Sequence, residues 1–143
     1  MILIIDDDLA VRTSLSLLLE NEGFEVISAE SHSQAIRLLV DHTPELIILD
    51  LNFSIDTSGK EGMSLFEAIK AINSFIPVIL LTGWGTIELA VKGMKMGAAE
   101  FLTKPWSNAY LLQSIQTILK LKERTIEKHS RKKLDDLYHF EQI

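Results

Sequence analysis

The chain has 143 residues, of which 47% are hydrophobic, and a formal net charge of −6. This composition allows one sizeable core, and its acidic balance offers no basic face of the kind that binds nucleic acid. The absence of cysteine excludes disulfides, thiolate chemistry and cysteine-ligated zinc. The first thirty residues lack the order of a signal peptide, and no apolar run is long enough to cross a membrane. We therefore expect a cytoplasmic domain without direct membrane or nucleic-acid contact.

Five short apolar runs, rich in β-branched residues, are typical of strands buried on both faces. In chain order they are Ile2–Ile5, Phe24–Ser28, Leu46–Leu49, Val78–Leu81 and Glu100–Leu102. The intervening segments carry apolar residues at helical spacing, and Gly or Pro stands where the spacing changes. Five βα units with short connections predict an α/β fold, a doubly wound five-stranded parallel sheet with helices on both faces.

Polar residues follow the ends of four predicted strands. Asp6, Asp7 and Asp8 follow the first, Asp50 the third and Thr82 the fourth, and a lysine lies shortly after the fifth. In an open parallel sheet the ligand crevice lies outside the carboxyl ends of the strands, so these groups are expected to converge. Clustered carboxylates repel one another unless a cation lies among them, and an all-oxygen site suits Mg²⁺. Asp8 is better explained as the cap of the first helix.

This ordered set of motifs resembles the receiver domains of two-component response regulators. The motifs are IIDDD at the first strand end, ILDLN around Asp50, LLTG around Thr82, and FLTKP with Lys104 twenty-two residues after Thr82. The resemblance spans about residues 1 to 120 and implies a flavodoxin-like fold and a signalling role. Each of these residues alone is commonly a capping, turn or solvated residue; their coincidence at four strand ends favours a phosphoryl site.

The resemblance implies that Asp50 is the phosphoacceptor and that Mg²⁺ is the cofactor. Asp6, Asp7 and Asp50 would hold the ion together with the backbone carbonyl of Asn52. Attack by an aspartate on phosphorus requires that charge on the equatorial oxygens be neutralised, which Mg²⁺ and a lysine do together.

The phosphoryl group, by the same resemblance, would be bound by Thr82 and paired with Lys104. Thr82 and Phe101 take the positions of the two switch residues, and the Lys104–Pro105 peptide is expected to be cis. An aromatic residue on a last strand is as readily explained by core packing, so both interpretations of Phe101 stay open. Trp84 is compatible with the rim of the crevice and equally with an ordinary surface loop.

The segment NFSIDTSGKE, between Leu51 and Gly62, departs from the usual receiver pattern. It is about four residues longer than in most receivers and lacks their proline, a change of small energetic cost because closure entropy grows only logarithmically with loop length. Since this loop borders the predicted metal site, the role of Asn52 is less directly transferred than that of Asp50. Asp56 and Glu61 either approach the ion or are simply solvated.

The end of the chain differs in charge from the rest. Up to Leu119 there are 7 Lys and Arg against 15 Asp and Glu, and after it 7 against 5. We expect a receiver domain over residues 1–120 and a helical linker over 121–143 that leads to a missing output domain, as in enhancer-binding transcription activators. The apolar residues of the fifth helix favour a homodimer, and the resemblance to receivers implies that it pairs through the face formed by the fourth helix, fifth strand and fifth helix.

The function predicted by these residues is phosphorylation-dependent signalling. A sensor histidine kinase would be the partner that donates to Asp50, and the chain would catalyse only its own phosphotransfer and dephosphorylation. One rival is a Mg²⁺-dependent phosphohydrolase with an aspartyl phosphate, which needs a carboxylate two residues after the nucleophile, where this chain has Asn52. A second rival is an interaction module that is never phosphorylated; the acidic pair and Lys104 argue against it.

Overall fold

The computed structural model describes residues 1–52 and 59–141, with the backbone alone at Trp84 and at residues 125–141. It contains a single five-stranded sheet among these residues, and every strand pairing is parallel. The strands are β1 (Ile2–Ile5), β2 (Val26–Ala29), β3 (Leu46–Asp50), β4 (Val78–Thr82) and β5 (Glu100–Thr103). The helices are α1 (Leu9–Asn21), α2 (His32–Asp41), α3 (Lys60–Ile72), α4 (Ile87–Lys95) and α5 (Asn108–Glu141), and a 3₁₀ turn covers Trp84–Thr86.

The sheet has the order β2-β1-β3-β4-β5, which confirms the predicted doubly wound architecture. Because adjacent side chains of a strand point to opposite faces, the apolar strands supply two cores at once. In one core, Leu3, Ile47 and their neighbours pack against α2, α3 and α4. In the other, Ile4, Ile48 and their neighbours pack against α1 and α5. Burial on both faces explains why the strands are continuous apolar runs.

The predicted start of β2 at Phe24 is wrong by two residues. The N–H of Phe24 donates to the carbonyl of Leu19 at 3.1 Å, so this residue still belongs to the turn that ends α1. Gly23 makes the turn possible with a φ of 90°. β3, β4 and β5 each extend one residue further than predicted, so Asp50 and Thr82 are themselves members of the ladder.

Helix α5 continues the receiver fold as a single helix to Glu141, in agreement with the predicted helical extension. Leu111 and Ile115 are fully buried, and Leu112, Ile118 and Leu119 pack at the border of the same core. The fifth helix therefore uses more of its apolar surface against the sheet than the sequence suggested. None of the helices in the described ranges has the length and apolarity needed to cross a membrane.

Candidate functional site

Three carboxylates meet at the carboxyl edge of the sheet. Since β1 pairs with β3 in register, with Ile5 opposite Leu49, the residues that follow, Asp6 and Asp50, emerge side by side. Asp6, Asp7 and Asp50 each offer one carboxylate oxygen, and these oxygens lie within 4.8 Å of one another. Asp6 and Asp50 are buried and Asp7 is exposed, so the cluster opens to solvent on one side.

Asp6 is the most perturbed group of the cluster. The N–H of Asp8 donates to its Oδ1 at 2.9 Å, but the buried Oδ2 has no hydrogen-bond partner among the described residues. Burial raises the pKa of Asp6 to about 7, and the nearby charge of Asp50 acts in the same direction. Three carboxylates, one of which has a buried oxygen without a partner, form the kind of oxygen-ligand set that binds a hard divalent cation. The residues present therefore fit Mg²⁺.

Asp50 is held by a lysine and by the backbone. Lys104 Nζ donates to Asp50 Oδ2 at 2.7 Å, and the N–H of Asn52 donates to Oδ1 at 3.0 Å. Lys104 reaches the site because its own N–H continues the β4–β5 pairing, donating to the carbonyl of Thr82 at 2.8 Å. The Lys104–Pro105 peptide is cis, as predicted. The nearly buried Asp50 side chain is thus paired with a lysine whose side chain is one-third exposed.

A pair of threonine hydroxyls lies beside the carboxylates. Thr82, the last residue of β4, contacts the hydroxyl of Thr86, and both hydroxyls reach the carbonyl of Gly83, at 3.1 Å and 3.2 Å. The side-chain amide of Asn52 donates to Thr86 Oγ1 at 3.4 Å. The amide of Asn52 is therefore directed at the hydroxyl pair, while the role of its carbonyl toward a metal stays a prediction.

Comparison with known proteins decides the family. The sequence model of the response regulator receiver domain family matches residues 2–116 of this chain. A putative NtrX-like response regulator of Rickettsia bellii is 34% identical over 91% of this chain, and the phosphate regulon regulator PhoB of Pseudomonas aeruginosa is 33% identical over 83%. A receiver domain structure from Clostridium thermocellum superposes with a TM-score of 0.79 and 31% identity, covering 87% of this chain and 97% of that chain.

This chain belongs to the response regulator receiver domain family. It spans about a quarter of the NtrX-like relative, 27%, and about half of PhoB, 51%. NtrX of Brucella abortus shows the same relation in a solved structure, with a TM-score of 0.82, 28% identity, and coverage of 90% of this chain but 28% of that one. The relatives are regulators of two-component systems, and this chain corresponds to their receiver part.

Five of the residues predicted from the sequence lie at the carboxyl edge of the sheet. Asp6, Asp7 and Asp50 form the acidic cluster, Lys104 joins it, and Thr82 lies at the end of the strand beside it. Their convergence was predictable because the parallel topology brings all strand ends to one edge.

Other predicted residues lie further from the cluster or outside the described part. Phe101 is half-buried, packs against the core that contains α3 and α4, and lines a groove of about 300 Å³ with Trp106 and Tyr110. Both interpretations of Phe101 are compatible with this position. Glu61 is exposed in the first turn of α3, and Asp56 and the Trp84 side chain lie outside the described residues.

Thr86 is the site residue that sequence reasoning missed. It is only 2% exposed, although it follows a glycine in a turn between β4 and α4, where a hydroxyl residue is usually solvated. The only hint in the sequence was its position four residues after Thr82. That spacing indicates a contact between the two residues only once the 3₁₀ turn is known to bring Thr86 back to Thr82.

Proposed function

We propose that this receiver is a cytoplasmic signalling domain that accepts a phosphoryl group on Asp50 from a phosphohistidine of a sensor histidine kinase, with Mg²⁺ bound at Asp6, Asp7 and Asp50. The observation that carries the proposal is the environment of Asp50, a nearly buried carboxylate 2.7 Å from Lys104 and within 4.8 Å of two further carboxylates. A structural ion pair would not need the two extra carboxylates, which only repel each other without a cation.

The chemistry assigned to the chain is nucleophilic attack and charge compensation. A carboxylate oxygen of Asp50 attacks phosphorus, the bond between phosphorus and the imidazole nitrogen breaks, and that nitrogen keeps the electron pair. Lys104 and the N–H of Asn52 hold the carboxylate in place, and Lys104 pairs with the phosphoryl oxygens as the acyl phosphate forms. A bound Mg²⁺ supplies further neutralisation of the equatorial oxygens.

The consequence of phosphorylation is proposed to be a shift between two populations of the domain. The phosphoryl group offers acceptor oxygens to the Thr82 hydroxyl, and Phe101 lies on the neighbouring strand, where Leu80 of β4 pairs with it. The domain catalyses only its own phosphotransfer and dephosphorylation in this proposal. The amide of Asn52, two residues after Asp50, is directed at Thr86 and supplies no general acid.

The output is proposed to lie in the remainder of a longer regulator, reached through α5. This is supported by the 27% coverage of the NtrX-like relative and by NtrX of Brucella abortus, whose structure is described in complex with ATP. A transcription activator with an ATPase domain is the architecture that fits these relatives. The acidic receiver itself is not proposed to bind DNA.

A homodimer through the face of α4, β5 and α5 is the proposed assembly. Among the described side chains, the exposed apolar ones are Val91 and Met94 on α4 and Tyr110 and Leu121 on α5, a smaller patch than the sequence suggested. Phosphorylation would strengthen pairing by changing this face.

The experiment that tests the phosphoacceptor uses acetyl phosphate with and without Mg²⁺. The wild-type chain should gain one phosphoryl group, measured as intact mass, and lose it in hydroxylamine; EDTA should prevent the gain. Asp50→Asn should not be labelled, because an amide is a poor nucleophile. Asp41→Asn, at an exposed carboxylate that ends α2, is the matched control and should be labelled like wild type. Stoichiometric labelling of Asp50→Asn would refute the assignment.

A further inference from the structure

Two buried hydroxyls sit in contact beside the proposed phosphoryl site. Thr82 is 0% and Thr86 2% exposed, so neither hydroxyl exchanges freely with water. They contact each other, and their nearest other acceptor is the carbonyl of Gly83, 3.1 Å from Thr82 Oγ1 and 3.2 Å from Thr86 Oγ1. Among the described side chains, Asn52 also joins, with its amide 3.4 Å from Thr86 Oγ1.

Both hydroxyl protons of this network are used in hydrogen bonds within it. Each threonine hydroxyl has one proton and can also accept. In one arrangement Thr82 donates to Thr86 and Thr86 donates to the carbonyl of Gly83; in the other Thr86 donates to Thr82 and Thr82 donates to that carbonyl. The amide of Asn52 fills an acceptor position of Thr86 in both. Hence the Thr82 proton is occupied within the network in either case.

Donation by Thr82 to a phosphoryl oxygen requires that its proton leave this network. The proton can turn toward a phosphoryl oxygen by rotation about the Cβ–Oγ bond or by a change of χ1 to another staggered rotamer, and in both cases the hydrogen bond that Thr82 donates within the network is lost. Thr86 stabilises the starting position, because its hydroxyl is hydrogen-bonded to Thr82 in either arrangement and is itself held by the amide of Asn52.

We infer that Thr86 is a positioning residue that holds the Thr82 hydroxyl in its resting place and thereby opposes the switch to the phosphorylated state. This inference rests on the proposed function, since it assigns Thr86 a role in the response of that site. Thr86 touches neither Asp50 nor the acidic cluster through a hydrogen bond in the described part of the chain, so it acts through Thr82.

The test is the apparent affinity for beryllofluoride, a phosphoryl mimic, at saturating Mg²⁺. Thr86→Val keeps the shape and removes the hydroxyl, and it should bind the mimic about fivefold more tightly, the ratio that corresponds to one neutral hydrogen bond. Thr86→Ser should restore the wild-type affinity. Thr103→Val is the matched control, because Thr103 lies opposite Thr82 on β5 and has no side-chain hydrogen bond among the described residues. It should leave the affinity unchanged.

A second background separates positioning from a general structural effect. In Thr82→Val there is no hydroxyl to hold, so adding Thr86→Val should change the mimic affinity no further, although a structural role of Thr86 would persist. Thr86→Ala, which also lacks the hydroxyl, serves if the valine variant does not fold.

Three outcomes overturn the inference alone: wild-type affinity in Thr86→Val, weaker binding in Thr86→Val, or an undiminished effect in the Thr82→Val background. Weaker binding would mean that Thr86 supports the donating Thr82 instead of restraining it. If the wild-type chain with Mg²⁺ binds no beryllofluoride at all, the proposed function fails, and that result is distinct from the other three.

Discussion

The amino and carboxyl edges of the sheet, where the same five strands begin and end, differ in how their charged groups are paired. At the amino edge the Met1 ammonium pairs with Glu45 at 2.8 Å, and Lys70 Nζ donates to the carbonyls of Ser74 and Ile76. At the carboxyl edge three carboxylates lie together, Lys104 pairs with Asp50, and Asp6 keeps a buried oxygen without a partner among the described residues. These charges of the amino edge are paired with groups of the chain itself, whereas the carboxyl edge holds like charges close together.

This difference shows where the fold gives up stability for function. Parallel pairing and apolar side chains are alike along the whole length of the strands, so the backbone does not cause it. Like charges brought together by burial oppose folding, and they persist only where the surrounding structure fixes them. The carboxyl edge is therefore expected to respond to substitution in ways that the amino edge does not.

The largest effect is expected where α3 closes on the carboxyl end of β3. A Cβ added at Gly62 would lie 2.3 Å from the carbonyl oxygen of Leu51, so Gly62→Ala should cost about 2–3 kcal/mol of unfolding free energy even though alanine favours a helix. Urea unfolding measures it. Gly85→Ala is the control, since nothing lies within 4 Å of its Cβ position. Equal stability of both variants would mean that α3 does not approach β3 this closely.

The next effect has the opposite sign and depends on pH. The folded-state pKa of Asp6, about 7, lies above its ordinary value of 3.8, so the folded chain holds a proton that the unfolded chain has lost between these values. Stability contributed by Asp6 is therefore present below pH 4 and lost as the pH rises through 7. In EDTA, Asp6→Asn should be more stable than wild type at pH 8 and equal to it at pH 4, because the amide carries no charge that burial would penalise.

Matched unfolding curves at the two pH values measure the difference between Asp6→Asn and wild type. Asp41→Asn, at an exposed carboxylate, should show no such change with pH. A stabilisation of Asp6→Asn that is the same at pH 4 and pH 8 would contradict the raised pKa and would point to packing instead.

The carboxyl edge also separates what the sequence predicts from what only the fold reveals. Asp6, Asp50 and Lys104 were predictable because a parallel sheet brings the ends of its strands to one edge whatever the loops do. Thr86 was not, because its burial depends on a short turn that folds it against Thr82, and no local pattern encodes that contact. The apolar run that begins at Phe24 predicts a strand from that residue, but the N–H of Phe24 is hydrogen-bonded in the turn that ends α1.

On α5, the apolar residues of the sequence predicted more exposed apolar surface than the structure has. The sequence places five apolar residues within nine positions, from Leu111 to Leu119, and suggests an unpartnered face. The structure packs all five against the core on one side of the sheet, with Leu111 and Ile115 fully buried and Leu112, Ile118 and Leu119 partly buried. The exposed apolar residues, such as Tyr110 and Leu121, are elsewhere on the helix.

The smallest effect is expected at the amino edge, where the side chain of Met1 is one-fifth exposed and that of Glu45 nearly half exposed. Glu45→Gln removes the charge of this pair but keeps a hydrogen-bond acceptor, so it should cost about 0.5 kcal/mol or less, and added salt should erase the difference because exposed ion pairs are screened. Unfolding in urea at low and at 1 M salt measures both effects in the same protein. Mimic binding at the opposite edge should equal that of wild type. A loss of several kcal/mol, or altered beryllofluoride affinity, would mean that the two edges are coupled through the strands and that charge at one edge is not independent of charge at the other.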